Sequence, residues 1–334
     1  MKLIKKVIRF FASLELTVGC LFLAMILIFA ATLDQVDLGL YFMKKKYFSG
    51  FFVWWPLSSG SEIPVFPSGL VLGGTILLNL VCAHWIRFRL TWSKFGIWLI
   101  HLGLIILLVG GGLTYFVATE SQMPIPIGGK AVYSQSSDLF EVAIVKLGSH
   151  LDSVVAIPES RFRSDLAIEV PGFGFSVIPR KIFPNTELTV MGTPSGSLAN
   201  RGLGQNVRVT PKPVIKKEVM QNNQVVTLEV MSLGKSQGIW LLSNVFDKPQ
   251  DFQLNGQVYQ LSLRPVRYYF PYYIALKSFI HEQHHGTGIA KSFVSNVRIE
   301  GEKSGEIRDA VISMNQPLRY QGHTFYQASF DEKK

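Results

Sequence analysis

The densest group of chemically capable side chains in the sequence is His281-Glu282-Gln283-His284-His285. It satisfies H-E-x-x-H, in which His281 and His285 would bind zinc and Glu282 would act as the base. That chemistry needs the two histidines one helical turn apart on a rigid helix. Gly286-Thr287-Gly288 follows at once, a poor continuation for any helix, and the preceding run, Tyr272 to Ile280, could equally be strand. No third ligand stands at a familiar spacing, because His323 is distant and sits in a strand-like context. The pattern reads better as a histidine-rich loop than as a zinc peptidase, and no catalytic nucleophile or acid–base pair stands out elsewhere.

His101 poses a different question. It lies about two turns into the apolar run FGIWLIHLGLIILLVGG, with no other ionisable group near it in sequence. Ionisable residues inside a membrane are functional candidates by default. The plain alternative is a neutral imidazole hydrogen-bonded to a neighbouring helix, yet a neutral imidazole is also a good axial ligand for haem iron. His84, beside Trp85 and Arg87 at the end of the preceding apolar run, is explained by a membrane interface without chemistry.

The elements that must position these residues fall into two parts. Three uncharged stretches, Leu16 to Leu33, Ile63 to Ile86 and Phe95 to Thr119, are each long enough to cross a bilayer. They predict transmembrane helices over about 14–33, 65–86 and 95–117, and hence a membrane domain over 1–119. The first stretch lacks the cleavage pattern of a signal peptide and is expected to be retained. Lys2, Lys5, Lys6 and Arg9 before the first span, and Arg87, Arg89 and Lys94 between the second and third, put both regions in the cytoplasm. Lys44, Lys45 and Lys46 oppose that orientation but are outnumbered. Three crossings then leave residues 120–334 outside the cytoplasm.

Gly69 and Gly73, and the run Gly110 to Gly112, allow close helix approach. Thr75, Asn79 and Cys82 share one helical face, which should meet protein because lipid cannot satisfy an amide. Both cysteines, Cys20 and Cys82, lie in apolar runs, so the polar part has neither a disulfide framework nor a cysteine metal site.

From Glu120 onward, short alternating runs are punctuated by turn signals. Asp165 to Val170 and Phe175 to Arg180 flank Pro171-Gly172-Phe173-Gly174, and Phe252 to Leu254 and Gln257 to Leu263 flank Asn255-Gly256. Val225 to Met231, Ile239 to Phe246, Phe293 to Ile299 and Thr324 to Phe330 are further strand candidates. The stretch Thr193 to Lys217, rich in Gly, Pro and Ser, predicts an exposed loop. The fold class is therefore three N-terminal transmembrane helices followed by a large β-rich domain, a sandwich or open barrel, over 120–334. The 33 Lys and Arg against 23 Asp and Glu give a charge of +10. Much of that excess flanks the apolar segments, so it reports membrane topology and not a nucleic-acid partner.

Several stretches resemble the ResB (CcsB) family of the system II cytochrome c maturation pathway. Ser13-Leu14-Glu15-Leu16-Thr17 and Ala31-Thr32-Leu33 are similar to the family's opening helix. Asn79-Leu80-Val81-Cys82 with Arg87 and Arg89 is similar to the end of its second helix, and His101-Leu102-Gly103 to its histidine-bearing third helix. Most specific is the tail: Ala275 to Phe279, His285-Gly286-Thr287, Phe293 to Val297, and the long closing run from Met314 to Phe330. Residues 150–270 match loosely.

The resemblance implies a bacterial inner-membrane protein that acts with a CcsA-like membrane partner to export haem b and present it to apocytochrome c. Thiol-reducing thioredoxin-like proteins would be further partners. It implies that His101 is one axial haem ligand, with the counterpart on the partner, and assigns no haem role to His84 or His323. It also implies a fourth membrane helix after the tail motif, where this sequence has Asp331-Glu332-Lys333-Lys334. The ligation chemistry would then belong to the complex more than to this chain. The competing reading, a cofactor-free membrane scaffold with a β domain, predicts that replacing His101 changes nothing beyond stability.

Overall fold

The computed structural model describes all residues except 1, 58–60, 88–90, 150, 163–164, 193–195, 216–221, 285, 287–289, 302–304 and 328–334. Two units form: Met1–Thr119 with Val214–Asn222, and Glu120–Pro213 with Asn223–Lys334. The first carries three helices long and apolar enough to cross a membrane, and the second is strand-rich.

Ser13 separates the first two helices, α1 (Lys2–Phe11) and α2 (Leu14–Tyr47). It is extended, and its hydroxyl accepts the amide of Leu16 at 3.1 Å, which caps α2. The helix assignment continues past the expected end near residue 33, but Gly39, at φ 76° and ψ 171°, breaks it in a conformation essentially reserved for glycine. The segment after Gly39 is thus a separate arm. Asp34 holds it, accepting from Lys46 Nζ at 2.6 Å and from the Tyr47 hydroxyl at 2.9 Å.

A two-stranded ribbon follows, β1 (Phe52–Pro56) against β2 (Glu62–Pro67). It occupies the start of what the sequence assigns to the second span. Pro64 and Pro67 hold their neighbours extended, so helix α3 (Gly69–Arg87) begins later than residue 65. Ser68 precedes it, accepting from the Val71 amide at 3.4 Å and donating to the Gly50 carbonyl at 2.6 Å. A short 3-10 turn, Trp92–Lys94, leads into α4 (Phe95–Val117), which coincides with the expected third span.

Asn79 ties α3 to the α1–α2 junction. Its amide donates to the carbonyls of Phe11 at 2.6 Å and Ser13 at 2.9 Å, and its oxygen accepts from Thr17 Oγ1 at 2.7 Å. The polar face read from Thr75, Asn79 and Cys82 meets protein at Asn79, which is 2% exposed.

The second unit holds two main sheets. Strands β3 (Lys130–Lys146), β4 (Ser153–Pro158), β11 (Gln250–Leu254), β12 (Gln257–Gln283), β13 (Ala290–Gly301) and β14 (Ile307–Ser313) form one, in the order β14-β13-β12-β3-β4 with β11 beside β12. Strands β5 (Ile168–Val170), β6 (Phe175–Phe183), β9 (Val225–Ser232) and β10 (Lys235–Ser243) form the other, in the order β10-β9-β6-β5. Small pairs are made by β7 (Thr186–Val190) with β8 (Val207–Pro211), and by β15 (Leu318–Tyr320) with β16 (His323–Phe325).

Inward residues of both main sheets share one core. Val142, Ile144 and Leu261 come from the larger sheet, and Val177, Leu228 and Val230 from the smaller; all are fully buried. This is a sandwich without a closed barrel. The Asn255-Gly256 turn has both residues at positive φ, 51° and 76°, as a two-residue hairpin requires. Strand β12 is long enough to serve two cores. Its first half lines the sandwich, and its second half, with Tyr272 and Ile274, packs with Val297 and Ile299 of β13 and with Leu318 and Tyr320 of β15.

Several strand limits and one loop differ from expectation: the strand expected from Asp165 starts at Ile168, and the one expected to end at Leu263 runs on to Gln283. The Ile239 strand ends at Ser243, and the tail strand is only His323–Phe325, with residues 328–330 outside the described part. Thr193 to Lys217 is not a uniform exposed loop. It contains β8, and Gly204 is buried because only a residue without a side chain fits against Leu241 and Ala199.

Candidate functional site

Helices α3 and α4 pack against each other, and His84 of α3 meets His101 of α4, with ring centroids 5.3 Å apart at an interplanar angle of 59°. Trp98, one turn before His101, stands 6.2 Å from the His84 ring. Each histidine Nδ1 lies beside the carbonyl four residues earlier on its own helix, His84 at 3.1 Å from Leu80 O and His101 at 2.8 Å from Ile97 O. A carbonyl oxygen only accepts, so Nδ1 carries the proton in both rings. The lone pair that binds a metal is then on Nε2.

The surroundings of His101 suit an apolar planar cofactor. Ile97, Ile100 and Leu104, within one turn of it on α4, are 48%, 65% and 43% exposed, and none of the described residues of α4 is buried. An imidazole with an anchored Nδ1 beside broad aliphatic surface is the donor and the wall that a haem would need. The tautomer is fixed by the helix itself, because position i−4 supplies the acceptor.

His323 has a phenol and not a backbone carbonyl beside its Nδ1. Tyr272, fully buried, has its hydroxyl 3.0 Å from His323 Nδ1. Burial pushes that phenol up to about 12, so it keeps its proton. The phenol can donate to that nitrogen or accept from it, so this contact ties His323 to the buried Tyr272 without selecting a tautomer. Its ring sits edge-on to Phe270 at 4.8 Å, within the aromatic group that includes Tyr320 and Phe325. This histidine is held by aromatic packing and a phenol contact.

The H-E-x-x-H segment begins in strand β12. His281 stacks on Phe293 of β13 at 4.8 Å, and Glu282 pairs with Lys291 at 3.4 Å. Adjacent strand residues point to opposite faces, so His281 and Glu282 are not set on a helix as the zinc chemistry requires. His285 lies outside the described residues. Among the described residues, no group of three or more His, Cys, Asp or Glu side chains is placed to hold a metal ion.

The charged clusters of the strand-rich unit are structural. Arg264 on β12 and Glu141 on β3 face each other in register and pair at 2.9 Å, both well shielded from solvent. Arg180 bridges Glu229 and Asp165. Asp309 on β14 takes Arg298 and Lys277, each at 2.8 Å, and these hold its carboxyl well below the usual range.

The sequence singled out His101 but set His84 aside. No local pattern in the sequence marks His84, because its neighbour is set by the packing of α3 against α4. Residues 243–334, which contain β11 to β16, match the ResB-like family. No curated protein matches the chain.

Proposed function

We propose that this chain is a cytochrome c maturation factor of the system II type. It works with a CcsA-like membrane partner to carry haem b to apocytochrome c outside the cytoplasm of a bacterial inner membrane. The observation that carries the proposal is the match of residues 243–334 to the ResB-like family, on a chain with three membrane-competent helices and an imidazole two turns into the third. Basic residues within α1, ahead of the first apolar span, and around the α3–α4 turn support a cytoplasmic N-terminus.

In this reading His101 is the ligand. Its Nδ1–H bond to the Ile97 carbonyl orients the ring and raises the donor strength of Nε2. Ile97 and Leu104, one turn before and after it, give that face an apolar surface. When bound, haem supplies the iron and vinyl groups on which the partner and the apocytochrome act. His84 stands beside the ligand on the same helical hairpin, where it packs the ring that His101 presents. A donor on the partner would complete the site, so haem would be held between the two proteins. Thiol-reducing thioredoxin-like proteins keep the apocytochrome cysteines ready.

The test is haem attachment in cells. A bacterial host without its own cytochrome c maturation genes should accumulate covalently haem-stained cytochrome c when this chain is expressed with its partner. It should accumulate none with the partner alone, and much less with His101→Ala at equal chain levels. Equal staining with and without the chain would remove the proposal in favour of a scaffold.

A further inference from the structure

The arm after Gly39 and the β1–β2 ribbon are unusual for a connection between membrane helices. Asp34 pulls the arm back along α2 through Lys46 and Tyr47. Met43 and Tyr47 of the arm and Val53 of the ribbon, at 7%, 4% and 3% exposure, are buried in one cluster with Leu27, Ala31 and Leu72. Leu27 and Ala31 lie in the final turns of the apolar run of α2, and Leu72 is in the first turn of α3. The ribbon is therefore packed at the depth where the two helices leave a bilayer.

Apart from the exposed Glu62 at the start of β2, its described remaining surface is apolar and aromatic. Phe51, Trp54, Trp55, Ile63 and Val65 are 74%, 48%, 51%, 46% and 55% exposed. The Lys46 ammonium lies over the Trp55 ring at 4.7 Å, and Lys44 and Lys45 are exposed. Bulk water disfavours so large an apolar patch. The hydrocarbon core is closed to it as well, because a two-stranded ribbon has open edges whose backbone groups need water. The headgroup layer satisfies both demands: indole rings favour it, and its phosphates complement lysine.

We propose that the ribbon and the returning arm form a phospholipid-binding collar. Trp54 and Trp55 sit at the boundary between headgroups and acyl chains, on the side of the membrane where α2 ends, and Lys44 and Lys45 face lipid phosphates. The collar fixes the depth and tilt of α2 and α3, and so of the hairpin that carries the two histidines. It rests on the membrane-spanning reading of the helices and not on haem.

The test uses the full chain in phospholipid vesicles with Trp85, Trp92 and Trp98 replaced by phenylalanine. This leaves Trp54 and Trp55 as reporters above a constant contribution from the buried Trp240. Lipids brominated near the headgroup end of the acyl chain should cause a large loss of emission, and lipids brominated near the chain terminus a smaller one. Trp54→Phe with Trp55→Phe should abolish that loss while leaving the helical circular dichroism unchanged. No quenching by either lipid would overturn the proposal and indicate a protein cover. Stronger quenching by the deep bromines would overturn it as well, since the ribbon would then lie in hydrocarbon. Haem loading plays no part in the readout, so its outcome leaves the haem proposal standing or falling separately.

Discussion

Asn79→Leu removes the one side chain that bonds α3 to the junction between α1 and α2. Three hydrogen bonds are lost: two donated to the carbonyls of Phe11 and Ser13, and one accepted from Thr17. Interhelical bonds in membrane proteins contribute on average about 0.6 kcal/mol each and at most about 1.7. Three of them give about 2 kcal/mol, with a ceiling of about 5. The value should exceed the lower figure, because Asn79 is 2% exposed and the Phe11 carbonyl is left facing leucine. Asn79→Asp should be worse than Asn79→Leu, since a buried carboxylate facing the two carbonyl oxygens adds desolvation and repulsion that leucine does not. The assay is reversible unfolding in mixed micelles of rising SDS fraction, followed by far-ultraviolet circular dichroism. A double-mutant cycle with Thr17→Val should isolate a coupling of about 0.6 kcal/mol. The reasoning is refuted if Asn79→Leu unfolds with wild type, or if Asn79→Asp is the milder variant.

Glu141→Ala should destabilise the strand-rich unit by about 3–5 kcal/mol in urea unfolding, because it leaves Arg264 shielded without its carboxylate. Replacing both partners by leucine should recover most of that loss, and a double variant as weak as Glu141→Ala would contradict the account. Gly204→Ala should cost about 1–3 kcal/mol in the same experiment, since a Cβ there would stand 2.4 Å from Leu241 Cβ. Acid should weaken the unit. Glu229, held low by the Ser236 hydroxyl and Arg180, and Asp309, held low by Arg298 and Lys277, contribute fully above the ordinary carboxylate pKa of about 4. That contribution is lost as pH falls through their lowered values, so the urea midpoint should drop between about pH 5 and about pH 2, and a flat profile would count against it.

The sequence made some of this legible and hid the rest for identifiable reasons. The third span is a long uninterrupted apolar run, and α4 matches it. The first span ends in the sequence at charged Asp34 although the helix runs on to Gly39, and the second starts late because uncharged composition does not separate helix from aromatic ribbon. Gly39, Pro64 and Pro67 were the local signals, and they act through backbone geometry rather than hydropathy. Asn255-Gly256 and the Pro171 to Gly174 turn identified their hairpins, since positive φ is encoded locally. Strand β8 was lost inside a run of turn residues, because its pairing with β7 is a tertiary fact. At the site, His101 was visible from its position in lipid-facing sequence. The adjacency of His84 and the Tyr272 bond that distinguishes His323 depend on helix and strand pairing that no local pattern carries.

The most direct test of the central claim is the visible absorption spectrum of this chain co-purified with its CcsA-like partner, compared between wild type and His101→Ala. The account predicts a Soret band in the wild-type complex that is lost or strongly reduced in the variant at equal recovery of both proteins. An equal Soret band in both would contradict it, leaving the chain a scaffold around haem held by the partner.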